Sequence, residues 1–234
     1  MRRLLAAARG DVRLQTRNGF YYATLFVIVT WMLLVGFLPI PDLGWILPAL
    51  VAGNLVITTF YFIAALVLLE KDENTLEALV VTPLRPGEYL AAKLATLTAL
   101  AWIENLLIVV LLYGPRFDAL LLSLGMVLAS LLLTLAGFVA VARYDSINEF
   151  LMPSALYSTL LTLPLFPYLA AWEHALLYLH PMQAPLVLMR AAFLPEPLWK
   201  VLYGIVYSAL WIAVAYRWAE RSFHRFVIAR AGAR

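Results

Sequence analysis

The chain has 234 residues, 64% of them hydrophobic and 13% charged, with a mean hydropathy of +0.88 and a formal net charge of +3. No water-soluble domain keeps such a composition dissolved, which excludes a soluble enzyme or binding module and indicates an integral membrane protein. Cysteine is absent, so disulfides, thiolate metal sites and cysteine nucleophiles are excluded too.

At roughly 20 apolar residues per span, the length holds about six spans in a single transmembrane domain over 1–234, with little left for an extramembrane domain. The first segment, 1–19, is an arm in which Arg9, Arg13 and Arg17 recur every four residues. They form a cationic stripe, with Leu5, Ala8 and Val12 on another face, which suits a helix lying in the headgroup plane. The same arginines also serve as the positive anchor of the first span. No cleavable signal is expected, because the first apolar run is too long for a signal-peptide core.

Apolar runs predict spans over Phe20–Leu38, Trp45–Leu69, Leu90–Tyr113, Ala119–Ala142, Phe150–Leu169 and Leu198–Trp218. Six spans place both termini on one side. Fourteen of the seventeen Lys and Arg residues then fall on that side, in the arm, in 70–93, in the connection at Arg143, at Arg217 and in the tail 219–234. The positive-inside rule makes that side cytoplasmic, at the inner (plasma) membrane. A nucleic-acid partner is not expected, since both basic ends are tethered to spans.

Between the second and third spans lies a polar island, 70–93, where a soluble partner would grip. Asn74 suits a helix N-cap with Glu77 three residues on. That helix would stop at Thr82, ahead of Pro83. Leu76, Leu79 and Val80 give it an apolar edge among the acids Asp72, Glu73 and Glu77, the pattern of a docking element. Pro86 suits the first turn of the next helix, with Glu88 near its positive end. Arg85 stands directly before Pro86, where a Ser-like cap would start the helix more sharply; it is either a solvated surface residue or an ion-pair partner for a docked protein.

The island, read as Thr75, Leu76, Glu77, Leu79, Thr82, Pro83, Leu84, Pro86, Glu88, Leu90 and Lys93, resembles permease subunits of type-2 ABC exporters. The opening 11–22, with Asp11, Arg13, Gln15 and Arg17 before Asn18-Gly19-Phe20, is similar to the fluoroquinolone-export permease subgroup. The resemblance implies an all-α permease of six spans, with an N-terminal interfacial helix and a cytoplasmic coupling helix. It implies a second permease chain, identical or related, and separate cytoplasmic ATPase subunits that bind ATP and Mg. This chain contains no phosphate-binding loop, because none of Lys71, Lys93 and Lys200 is followed by Ser or Thr. No catalytic residue and no cofactor of its own are therefore expected. The coupling residues implied are Glu73, Asn74, Leu76, Glu77, Leu79, Val80, Thr82, Pro83, Arg85 and Glu88.

Within the spans, Glu104 and Asn105 sit near the middle of the third, and a carboxyl there is neutral or hydrogen-bonded to another helix. It serves as helix–helix glue, as a lining of the pathway, or in proton chemistry. Asn54, Thr58 and Tyr61 in the second span, and Tyr157, Ser158 and Thr162 in the fifth, are the other polar positions. The resemblance places the second and fifth spans around the substrate pathway, although hydroxyls in spans also bond locally or let helices pack closely. Pro153, Pro164 and Pro167 predict a kinked or short fifth span.

The segment 172–197 has His174, His180, Glu173, Arg190 and Glu196 among four prolines, and reads as an external re-entrant or capping pair of short amphipathic helices. No metal site is expected, because the histidines lack a helical ligand spacing. The turn Arg143–Phe150 is either a second contact for the ATPase or a plain tight connection. The function expected is export of drug-like or amphiphilic molecules, with membrane lipid as the surrounding partner. The alternatives are an ion-coupled secondary transporter and a membrane-embedded enzyme using Glu104.

Overall fold

The computed structural model describes residues 2–73, 75 and 85–225. The coupling positions Asn74, Leu76, Glu77, Leu79, Val80, Thr82 and Pro83 lie outside these residues. Helix α1 is Arg2–Arg17 and α2 is Phe20–Phe37. Gly19 joins them at φ 77°, a left-handed conformation that glycine adopts without strain.

The predicted second span is part of a longer helical rod. It comprises α3 (Leu43–Leu55), a π-helical stretch (Val56–Tyr61) and α4 (Phe62–Asp72). The Asp42 side chain accepts from the Trp45 N–H at 3.1 Å and so fixes its start. The π stretch widens the backbone ladder in mid-span, a distortion that local helix propensity alone does not favour.

Helix α5 is Pro86–Tyr113, α6 is Ala119–Val141 and α10 is Leu198–Phe223. These three, α2 and the rod Leu43–Asp72 are five segments long and apolar enough to cross a membrane. The predicted fifth span is not one helix. It is α7 (Ile147–Thr162) followed by α8 (Leu165–Leu169). Pro164 has no N–H to continue the ladder, so the helix breaks there. The 16 residues of α7 reach only about 24 Å, short of a bilayer core. The Tyr168 hydroxyl donates to the Trp45 carbonyl at 2.7 Å, which pins α8 to the start of the rod.

The segment that follows holds a 3₁₀ turn, Ala175–Leu179, and α9, Gln183–Ala191. Residues Ala184 to Met189 of α9 are all buried, because the helix wedges between α6 and α10. Helix α6 is the axis of the bundle and touches the rod, α5, α9 and α10. Its small residues set how close the neighbours come. A Cβ at Gly137 would stand 2.7 Å from the Phe60 carbonyl oxygen, and one at Gly125 would stand 3.0 Å from the Met189 nitrogen.

The outside of the bundle is apolar. Phe26 on α2, Met152 on α7 and Val206 on α10 are 71%, 82% and 67% exposed. Such a surface is stable only against lipid or another apolar protein face.

Candidate functional site

Three chain segments meet at Lys93. Its ammonium is 1% exposed and donates to Glu70 Oε1 at 2.7 Å and to Asp11 Oδ1 at 2.8 Å. The Tyr89 hydroxyl donates to the second Glu70 oxygen. Lys93 also lies 4.8 Å from the Tyr89 ring centre, one helical turn away. Gln15, fully buried, donates to Thr96 Oγ1 at 3.1 Å. The polar positions of α1 therefore face α5, and its arginine stripe and the apolar Leu5 and Val12 face outward. A buried ammonium is tolerated only when charge and hydrogen bonds compensate its lost hydration, and here two carboxylates do so.

Glu70 and Lys93, at the two ends of the island, are both helical and buried, and they bind one another across it. The polar connection runs from Glu73 to Arg85, and its two ends are fastened together. At its start Glu73 pairs with Arg17, an exposed contact that contributes at most about 1 kcal/mol. At its end Arg85 is extended, with φ −81° and ψ 148°, and its N–H donates to Glu88 Oε2 at 3.0 Å. Helix α5 thus starts sharply at Pro86 without a Ser-like cap, since Glu88 supplies half of a capping box. Lys71 donates to the carbonyls of Ala142 and Tyr144 and pairs with Asp145 at 3.5 Å, which ties the same end of the rod to the α6–α7 turn.

Deeper in the bundle, Asn54, Glu104 and Asn105 come together. The Asn54 amide donates to Glu104 Oε1 at 3.1 Å and to Asn105 Oδ1 at 3.0 Å, and Asn54 Oδ1 accepts from the Trp31 indole at 3.1 Å. Asn105 in turn donates to the Ala101 carbonyl at 2.8 Å. These bonds join α2, α3 and α5, and all three polar side chains are buried. Glu104 Oε2 has no hydrogen-bond partner. Thr58 is buried and bonds within its own helix to the Asn54 carbonyl at 3.2 Å.

The second group of predicted residues assembles around α7. The Tyr61 hydroxyl donates to Ser158 Oγ at 3.0 Å, and the hydroxyls of Tyr157 and Tyr144 lie 3.1 Å apart. Thr162 bonds back to the Ser158 carbonyl at 2.9 Å. The π stretch and α7 are therefore neighbours, whereas Asn54 and Glu104 form a separate cluster enclosed by α2 and α5.

At the opposite end of the bundle from Lys93, Arg190 pairs with Glu173 at 2.6 Å and with Glu196 at 2.9 Å, and Lys200 reaches Glu196 at 3.1 Å. The hydrogen bond from Arg190, reinforced by Lys200, holds the Glu173 carboxyl below the usual glutamate range. Burial pushes His180 below the ordinary histidine value. The neutral ring is doubly used: Nε2 donates to the Leu160 carbonyl at 3.0 Å, and Nδ1 accepts from the Met182 N–H at 3.2 Å. Among the described residues no group of three or more His, Asp and Glu side chains is disposed to hold a metal.

Sequence reasoning did not assemble Asp11, Glu70, Tyr89 and Lys93 as one buried set. The available signal was an acid on α1 opposite its arginine stripe, together with a Tyr and a Lys one helical turn apart on α5.

Long apolar helices around enclosed polar and charged knots make this a multi-pass membrane protein. The chain belongs to the fluoroquinolones export permease protein family, whose model matches residues 2–231. It is 34% identical over 235 residues to the Fluoroquinolones export permease proteins Rv2687c of Mycobacterium tuberculosis strain ATCC 25618 / H37Rv and MT2761 of strain CDC 1551 / Oshkosh. Each match covers 99% of both chains. Those relatives are export permeases by name.

Proposed function

We propose that this chain is the membrane-spanning permease of a type-2 ABC exporter. Two permeases, identical or related, form a pathway for fluoroquinolone-like amphiphiles at the inner membrane. Separate cytoplasmic ATPase subunits bind ATP and Mg and drive the cycle. Both termini and the connection between the rod and α5 face the cytoplasm, and the broken helix α7–α8 completes a sixth crossing.

The observation that carries this reading is the Lys93 knot. The end of the rod, the start of α5 and the N-terminal helix are joined by charged bonds at the two ends of one short polar connection. Force applied to that connection by an ATPase would move all three helices together. ATP binding would thereby change the relative stability of two arrangements of the spans, the requirement for any such population shift. The polar residues Tyr61, Tyr157, Ser158 and Thr162, beside the break in α7, are the proposed pathway positions, and the enclosed Asn54–Glu104–Asn105 cluster holds the spans that border it.

The test is co-purification. Expressed with a candidate ATPase subunit and extracted in mild detergent, the chain should elute with it in fixed stoichiometry. Leu76→Asp or Leu79→Asp should abolish that co-elution and ATP-dependent drug export while the permease keeps its unfolding temperature. Normal ATP-dependent export by these variants would defeat the docking role, and export driven by an ion gradient without ATP would place the chain among secondary transporters.

A further inference from the structure

Helices α6, α7 and α10 part along one side of the bundle and leave a groove of about 320 Å³. Its walls are apolar, with Leu132 and Val139 from α6, Leu161 from α7, and Val214 and Ala215 from α10. Only one end carries charge. There Arg143, directly after α6, is exposed and stands 5.9 Å from the Tyr157 ring centre. The acids of the same turn are engaged elsewhere: Asp145 faces Lys71 at 3.5 Å, and Glu149 accepts from the Asp145 N–H at 3.2 Å. Among the described residues no carboxylate lies within ion-pair distance of Arg143. On the α10 wall Trp218 is 59% exposed, and the indole N–H of Trp211 has no acceptor.

An apolar trough with a guanidinium at one end, free of carboxylate partners among the described residues, is complementary to a molecule with a hydrocarbon tail and an anionic head. We infer that the groove holds one acyl chain of an anionic phospholipid, with the lipid phosphate on Arg143. A phosphodiester presents paired oxygens to the planar guanidinium fork. A zwitterionic lipid brings the same phosphate together with an ammonium that Arg143 repels, so a net negative head is preferred. Arginine and tryptophan are both residue types that gather at the headgroup boundary of a bilayer. The assignment goes beyond export and does not depend on an ATPase.

The experiment is native mass spectrometry of the full chain, released from detergent after equilibration with equal phosphatidylglycerol and phosphatidylcholine of matched chains. The wild type should retain phosphatidylglycerol about fivefold over phosphatidylcholine, the factor that one cation near an anionic head supplies. Arg143→Ala should bring the two lipids to parity, and Arg143→Lys should restore most of the preference. Ala136→Trp, which fills the groove while leaving Arg143 in place, should reduce retention of both lipids. Equal retention by the wild type, or an unchanged preference in Arg143→Ala, would overturn the assignment. So would efficient cross-linking of Leu160→Cys between two copies together with absence of retained lipid, since a second chain would then be the occupant.

Discussion

Lys93 is the residue on which most depends. Removing a single partner from a buried ion set leaves the remaining charges desolvated, at a cost of about 3–5 kcal/mol. Lys93→Met therefore strands Asp11 and Glu70, and thermal unfolding in detergent should show a loss of that size. Neutralising the stranded acids in the triple variant Lys93→Met, Glu70→Gln, Asp11→Asn should recover most of the stability. If the single variant unfolds like the wild type, the knot is not buried in the folded protein. Stability recovered without export in the triple variant would separate the transmission of force from simple cohesion.

At the scale of the elements, the neutral His180 ring joins α7 to the segment before α9. Its folded value lies below the ordinary one of about 6.5. The folded state therefore binds fewer protons, and this contribution is complete above the ordinary value and is lost as pH falls from there through the lower folded value. Protonation of Nδ1 removes the acceptor that Met182 uses. Protection factors from hydrogen–deuterium exchange over residues 175–183, corrected for the intrinsic pH dependence of exchange, should fall as the solution is acidified below the ordinary histidine value, and His180→Asn should flatten that step; an unchanged profile in the variant would assign the step elsewhere.

The elements also differ in how far the sequence reveals them. Hydropathy alone locates the rod, α5, α6 and α10, because a bilayer demands about 20 apolar residues at a stretch. Pro164 foretells the weakness of the fifth span but not that it breaks into two helices. The burial of α9 is hidden, since its glycine-permitted contacts with α6 come from residues about 60 positions away. The site divides in the same way. Asn54, Glu104 and Asn105 stand out as polar residues in apolar runs, whereas the Lys93 partners lie 23 and 82 positions off and look like ordinary interfacial charges.

Viewed as a whole molecule, the chain has more apolar outer surface than its own packing covers. The outer face of α7 carries Met152, Leu156 and Leu163, exposed by 82%, 61% and 44%. In the proposed dimer this face and the neighbouring Tyr61–Ser158 contact approach the second permease. Met152→Cys in the cysteine-free chain should form a cross-linked dimer in membranes, with Val206→Cys on α10 as a lipid-facing control. Cross-linking of the control alone would move the dimer interface to α10.

The Lys93 knot also orders the events of synthesis. Asp11 and Glu70 leave the ribosome before the lysine that neutralises them, Asp11 by 82 residues. Until Lys93 emerges, Asp11 on the N-terminal helix and Glu70 on the rod lack the cation that joins them. The first three membrane segments can thus be inserted one at a time, but they lock into a unit only when the third arrives. A ribosome stalled between the second and third segments would carry a chain still open to proteolysis in its first 20 residues.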